Sequence, residues 1–140
     1  MTEQKSLILL IDDDKDFREI LSTKLQSAGF NTAEAGNGEE GIHKMKQIKP
    51  DLILLDLKMP VMNGAETLLE IKSDPDLQNF KVVFLTNYGE PKKELSGVDE
   101  KFAQEVGALG YIRKTSDLDS IVEEVKNIFC APATNNSGNR

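Results

Sequence analysis

A single α/β domain, with one parallel sheet covered by helices on both faces, is predicted from three features of this chain. Runs of strand length alternate five times with segments whose apolar residues recur at helical spacing, and that alternation builds parallel strands joined by helical crossovers. Two of the runs, Leu7–Ile11 and residues 52–55, are apolar at every position, as strands buried on both faces must be. Both runs end in acid, with Asp12, Asp13 and Asp14 after the first and Asp56 after the second. A chain of 140 residues is long enough to bury a proper core, and the domain is predicted over residues 1–130.

The elements follow in order. Leu7–Ile11 is the first strand. Residues 15–28 carry Phe17, Ile20, Leu21, Leu25 and Ala28 on a single stripe, so they form a helix, and Gly29 ends it just past the cap. Asn31–Ala35 is a short, weaker strand. Ile42, Met45 and Ile48 mark the next helical face, stopped by Lys49 and Pro50. Residues 52–55 form the third strand, and residues 65–72, apolar at Ala65, Leu68, Leu69 and Ile71, a third helix. Residues 81–85 read as a fourth strand, followed by a helix with Val98, Phe102, Ala103 and Val106 on one side. Tyr111 and Ile112 mark a short fifth strand. Leu118, Ile121, Val122, Val125, Ile128 and Phe129 give the clearest helical stripe of all. Residues 131–140 are polar and aromatic-free beyond Pro132, and are expected to be a disordered tail.

Right-handed crossovers leave few ways to connect five such units. In the flavodoxin-like strand order 2-1-3-4-5 the first and third strands are neighbours, and the switch point lies between their C-terminal ends. That order, in a three-layer α/β/α sandwich, brings Asp12, Asp13 and Asp56 into one crevice although they are distant in sequence. Carboxylates crowded together need a compensating cation. The donors are all oxygen, which favours a hard cation such as Mg2+ over zinc, and magnesium usually shares its ligands with a phosphate. Asp14 and Asp16 have a simpler use, capping the helix that follows. Two further residues end strands on the same edge. Thr86 follows Val82, Val83, Phe84 and Leu85, and its hydroxyl can donate to a phosphoryl oxygen. Lys114 follows the fifth strand and can set an ammonium against the same phosphate.

Composition narrows the setting. A formal net charge of −7 speaks against non-specific binding to nucleic acid or to an anionic membrane. No apolar stretch approaches the roughly 20 residues needed to span a bilayer, and the first six residues lack a signal-peptide core. The single cysteine, Cys130, has no internal partner, which fits a reducing compartment and a cytoplasmic location. Cys130, at the end of the last helix, is expected to be just a small apolar residue, and His43, on the second helix, a surface or packing residue.

The chain resembles the receiver domains of two-component response regulators. The resemblance rests on Leu9, Leu10, Ile11, Asp12, Asp13 and Asp14; on the stretch from Pro50 through Asp56, Leu57, Lys58, Met59 and Pro60 with Asn63 and Gly64; on Val83 to Thr86; and on Gly107 and Ala108 followed by Tyr111, Ile112, Arg113 and Lys114. It extends to about Phe129. It implies that Asp56 accepts a phosphoryl group from a sensor histidine kinase or a histidine phosphotransfer protein. Asp13 and Asp56 would bind Mg2+ directly, Asp12 directly or through water, and the Lys58 carbonyl would add a ligand. Thr86 and Lys114 would hold the phosphoryl oxygens. Movement of Thr86 would make room for Tyr111 and change the face built from the helix after strand 4, strand 5 and the final helix, where a downstream effector protein docks. Pro60 and Gly64 would shape the loop after Asp56. The resemblance thus implies a stand-alone receiver. It would catalyse its own phosphorylation and dephosphorylation without being an enzyme for a separate substrate.

The chain departs from the family pattern in three places. Thr115 stands where proline usually follows the lysine, so a trans bond and a shifted loop are expected. Asn87 replaces a small residue and, with Lys58 and Tyr88, would line the entrance. The segment from Asn87 to Glu105 is longer than usual, with Pro91, Lys92, Lys93 and Glu94 inserted, which is expected to alter the output face. Two rival classes remain. A magnesium-dependent phosphohydrolase would use Asp12 and Asp14, two residues apart, but leaves Asp56 unexplained and needs a cap segment. A phosphorylation-independent binding module would keep the fold and a residual pocket.

Overall fold

The computed structural model describes residues 5–57, 63–86, 108–114 and 117–130. Strands β1 (Leu7–Ile11), β2 (Asn31–Ala35), β3 (Leu52–Asp56), β4 (Val82–Thr86) and β5 (Gly110–Arg113) form one sheet in the order β2-β1-β3-β4-β5. Every neighbouring pair is parallel. Helices α1 (Lys15–Ser27), α2 (Gly38–Ile48), α3 (Gly64–Ser73) and α4 (Leu118–Cys130) complete the described elements. The helix expected around residues 98–106, the inserted residues 91–94 and the tail lie outside the described residues.

Strand alternation divides the core in two. Leu9, Ile11, Ile53, Leu55, Val82 and Phe84 point to one side and pack with Met45 of α2 and Leu68 and Ile71 of α3. Ile8, Leu10, Leu52, Leu54, Val83 and Leu85 point to the other and pack with Leu21 and Leu25 of α1 and Ile121 and Val125 of α4. Both faces are therefore covered, which is why the central strands carry no polar alternation. Asp12 and Asp56 continue the second register, so they leave the sheet on the side that α1 and α4 cover.

Helix ends are set by local chemistry. Asp14 caps α1, its Oδ1 accepting the Phe17 N–H at 3.1 Å. Asp16 does not cap. It lies in the first turn, where its charge faces the positive end of the helix dipole but the cap position is already taken. The far end closes with a Schellman pattern, Phe30 N–H to Leu25 O and Gly29 N–H to Gln26 O, both 3.0 Å, with Gly29 at φ 102°. Lys49 ends α2 in the left-handed region at φ 49°. Asn63 and Glu66 form a reciprocal capping box at the start of α3. No helix among the described residues is long and apolar enough to cross a membrane.

Candidate functional site: a carboxylate and lysine cluster at one sheet edge

Register brings the acids together. Ile11 pairs with Leu55, so Asp12 and Asp56 emerge side by side at the C-terminal edge. One carboxylate oxygen from each of Asp12, Asp13 and Asp56 lies within 4.8 Å of the others. Asp12 and Asp56 are buried, whereas Asp13 is exposed. Asp56 pairs with Leu85, and the next residue of β4 is Thr86, also buried. Lys114 follows β5 and donates its N–H to Thr86 O at 2.6 Å.

The Lys114 ammonium reaches back across β4 to the acids. Its Nζ lies 2.9 Å from Asp12 Oδ2 and 3.7 Å from Asp56 Oδ1, and its side chain is only 10% exposed. The third side of the ammonium is covered by the Phe17 ring, with Nζ 4.6 Å from the ring centroid. Asp12 Oδ2 is fully buried and makes no well-oriented hydrogen bond among the described residues, so it relies on the positive charge of Lys114. The other oxygen, Oδ1, accepts the Asp14 N–H at 2.9 Å.

These surroundings perturb the titration of two groups. Burial first, then the neighbouring Asp12 and Asp13 charges, push the Asp56 carboxyl up to about 8, with Lys114 partly opposing them. Burial works against the charge on Lys114, but the bond to Asp12 and the charges of Asp56, Asp12 and Asp14 outweigh it and raise its pKa. A carboxylate so reluctant to ionise among its neighbours is one that a cation would stabilise. The three clustered carboxylate oxygens fit a hard, oxygen-seeking divalent ion.

The scaffold around the cluster is equally specific. Arg18 of α1 donates from Nη1 to Asp12 O at 2.6 Å and from Nε to Glu34 Oε1 at 2.9 Å, tying the end of β1 to β2. Lys44 of α2 donates to Glu34 O and extends the tie. Gly64 N–H donates to Leu57 O at 2.8 Å and closes the base of the segment after Asp56. A Cβ on Gly64 would collide with Asp56 O and sit 2.8 Å from Leu57 Cα, so only glycine fits.

Asp12, Asp13, Asp56 and Lys114 come together at this edge, and Thr86 lies buried at the end of the neighbouring strand β4. Lys58, Pro60, Asn87, Tyr88 and the residue after Lys114, Thr115, lie outside the described residues, and for Tyr111 the structure gives the backbone position in β5. Asp14 Oδ1 caps α1, and the acid that shares the cluster with Asp12 and Asp13 is Asp56 rather than Asp14. His43 is exposed on α2, and Cys130 is an exposed thiol at the end of α4. The contacts of Arg18 with Asp12 O and of the Phe17 ring with Lys114 were not legible in advance. Phe17 read only as part of the apolar stripe of α1, and the one sign of Arg18 was a cation one turn after the Asp14 cap.

A family model described as "Response regulator receiver domain" matches residues 8–126. Sporulation initiation phosphotransferase F of Bacillus subtilis is 35% identical over 119 residues, 85% of this chain and 90% of that protein. Regulatory protein AtoC of Escherichia coli is 34% identical over 114 residues, and the match spans 81% of this chain but only 23% of AtoC. Among solved structures, the chemotaxis response regulator CheY4 of Vibrio cholerae superposes with a TM-score of 0.77 at 25% identity, covering 89% of this chain and 99% of that one.

Proposed function

Because the chain belongs to the response regulator receiver domain family, we infer that Asp56 accepts a phosphoryl group from a phosphohistidine on a partner protein, a sensor histidine kinase or a histidine phosphotransfer protein. The observation that carries this reading is the convergence of three carboxylates with Lys114 at one sheet edge, the ammonium held 2.9 Å from Asp12 and 3.7 Å from Asp56. A buried carboxylate at a strand end, with an ammonium beside it and the exposed Asp13 next to it, is arranged to attack phosphorus rather than to support the fold.

In the transfer, an Asp56 Oδ attacks phosphorus. An O–P bond forms and the N–P bond to the donor imidazole breaks; the ring, already protonated on its other nitrogen, keeps the electron pair of the broken bond and leaves as neutral imidazole. Lys114 offsets negative charge on the phosphoryl oxygens as it shifts between two partners, and the Thr86 hydroxyl donates to one of them. Asp12, Asp13 and Asp56, with the Lys58 carbonyl, would hold Mg2+. When bound, the ion supplies charge neutralisation for the acids and for the equatorial oxygens of the transition state. Hydrolysis of the acyl phosphate by water returns Asp56 to its carboxylate, so both half-reactions take place within this domain. The likeness to a protein named a phosphotransferase, over 90% of that protein's length, supports onward relay to a second protein as one output. A changed face around β5 and α4 that an effector protein reads is the other.

Intact-mass measurement after incubation with acetyl phosphate tests the assignment. A gain of one phosphoryl group is expected in the presence of Mg2+, and none is expected without the metal or in Asp56→Asn. Labelling that persists in Asp56→Asn, or none in a folded wild-type protein that binds Mg2+, would reject it. The latter result would favour a binding module that works without phosphorylation.

A further inference from the structure

We propose that Phe17 is a positioning residue for Lys114, holding the ammonium in the site through its ring face. The inference rests on the reading of Asp56 as phosphoacceptor and extends it to a residue outside the charged set.

The geometry is that of a three-sided seat. An ammonium has three donors. Two directions from Lys114 Nζ lead to Asp12 Oδ2 and Asp56 Oδ1, and the remaining side faces the Phe17 ring at 4.6 Å from its centroid. That distance lies within the roughly 6 Å over which a cation is drawn to an aromatic face. The attraction is greatest where water is scarce, and Lys114 is 10% exposed.

The ring is itself fixed from two directions. Its backbone N–H is the donor to the Asp14 cap at 3.1 Å, so Phe17 sits in the first turn of α1 at a defined height above the acids. Its side chain packs against the apolar layer between the sheet, α1 and α4. The lysine, by contrast, is a long flexible side chain whose backbone is tied to β4 through Thr86 O. A rigid aromatic wall restrains it without adding an acceptor that would compete with a phosphoryl oxygen.

The consequence is directional. As Asp56 becomes esterified, the ammonium must move from the Asp56 carboxylate to the phosphoryl oxygens, while the ring contact stays the same in both states. The ring therefore keeps Lys114 desolvated and close to the reacting centre. An aliphatic side chain of similar size would fill the same space but exert no pull on the charge.

The test compares Phe17→Leu, Phe17→Tyr and Phe17→Trp, following the rate of Asp56 labelling by acetyl phosphate at saturating Mg2+. Phe17→Leu is expected to label about two- to five-fold more slowly than wild type, the range that a single ammonium–ring contact supports. The two aromatic variants are expected to rescue the rate. In a Lys114→Ala background, Phe17→Leu is expected to slow labelling no further, because the cycle isolates the pair. Equal rates for Phe17→Leu and wild type, equal losses in all three variants, or an undiminished loss in the Lys114→Ala background would each overturn the proposal. Absence of labelling in wild type would instead overturn the assignment of Asp56, and is seen in the control before any variant is compared.

Discussion

Gly64 shows how tightly Asp56 is framed. Its N–H donates to Leu57 O, and the position a Cβ would take is already filled by Asp56 O and Leu57 Cα. Backbone cannot step aside as a flexible side chain can, so Gly64→Ala must shift the end of β3 or the start of α3. A loss of about 1–3 kcal/mol is expected, the usual cost of overpacking a dense site. Urea unfolding should read that loss, and labelling of Asp56 should slow with it. An alanine variant of wild-type stability and labelling would show that the backbone yields freely there. Gly64 was visible in the sequence as part of a motif, and its reason was not, because close approach of two backbones leaves no periodic trace. Arg18 is the harder case. Its target is a main-chain oxygen of Asp12, and every residue supplies such an oxygen. The charged side chains that converge on the site were readable because burying them is costly, and a strand that ends in acid carries that cost openly.

Helix α3 begins just after the segment that follows Asp56, so its cap borders the carboxylate cluster as well as the helix. Asn63 Oδ1 accepts the Glu66 N–H at 2.9 Å, and Glu66 Oε1 accepts the Asn63 N–H at 3.0 Å. Asn63→Ala is expected to cost about 1 kcal/mol of stability, while Glu66→Gln, which preserves the reciprocal bond, should cost much less. Thermal unfolding of the two variants side by side decides this, and equal losses would mean that the Glu66 charge matters more than the box. The strands themselves were predicted to within a residue or so. β3 runs one residue past its apolar run to include Asp56, and β4 shifts by one to include Thr86, because Asp56 still pairs with Leu85 and Thr86 with Arg113. Strand β2, polar by composition, was still readable from its place between two helical stripes. Its register against β1 makes up for its weak sequence, and the Ser22 and Thr32 hydroxyls pair at 2.6 Å beneath it.

The whole fold also bears the electrostatic strain of its own site, and that strain has a sign. Asp56 titrates near 3.8 when unfolded and at about 8 in the fold, so between those values the folded protein holds more protons than the unfolded chain. Stability then falls as pH rises across that window, by at most about 1.4 kcal/mol per pH unit from this group. Below about pH 4 both states are protonated and the contribution is fully present; above about pH 8 it is lost. Other acids and His43 titrate too, so the informative quantity is the difference between wild type and Asp56→Asn. In chelator, Asp56→Asn should gain on wild type from pH 5 to pH 8, since the amide never has to ionise among Asp12 and Asp13. Adding Mg2+ should narrow that gap by stabilising the ionised wild type, because the ion binds the folded site and not the dispersed acids of the unfolded chain. Urea titrations at four pH values, with and without the metal, measure both effects. A gap that does not change with pH would mean that Lys114 alone keeps Asp56 ionised. The site would then have no need of a cation for charge, only for the chemistry.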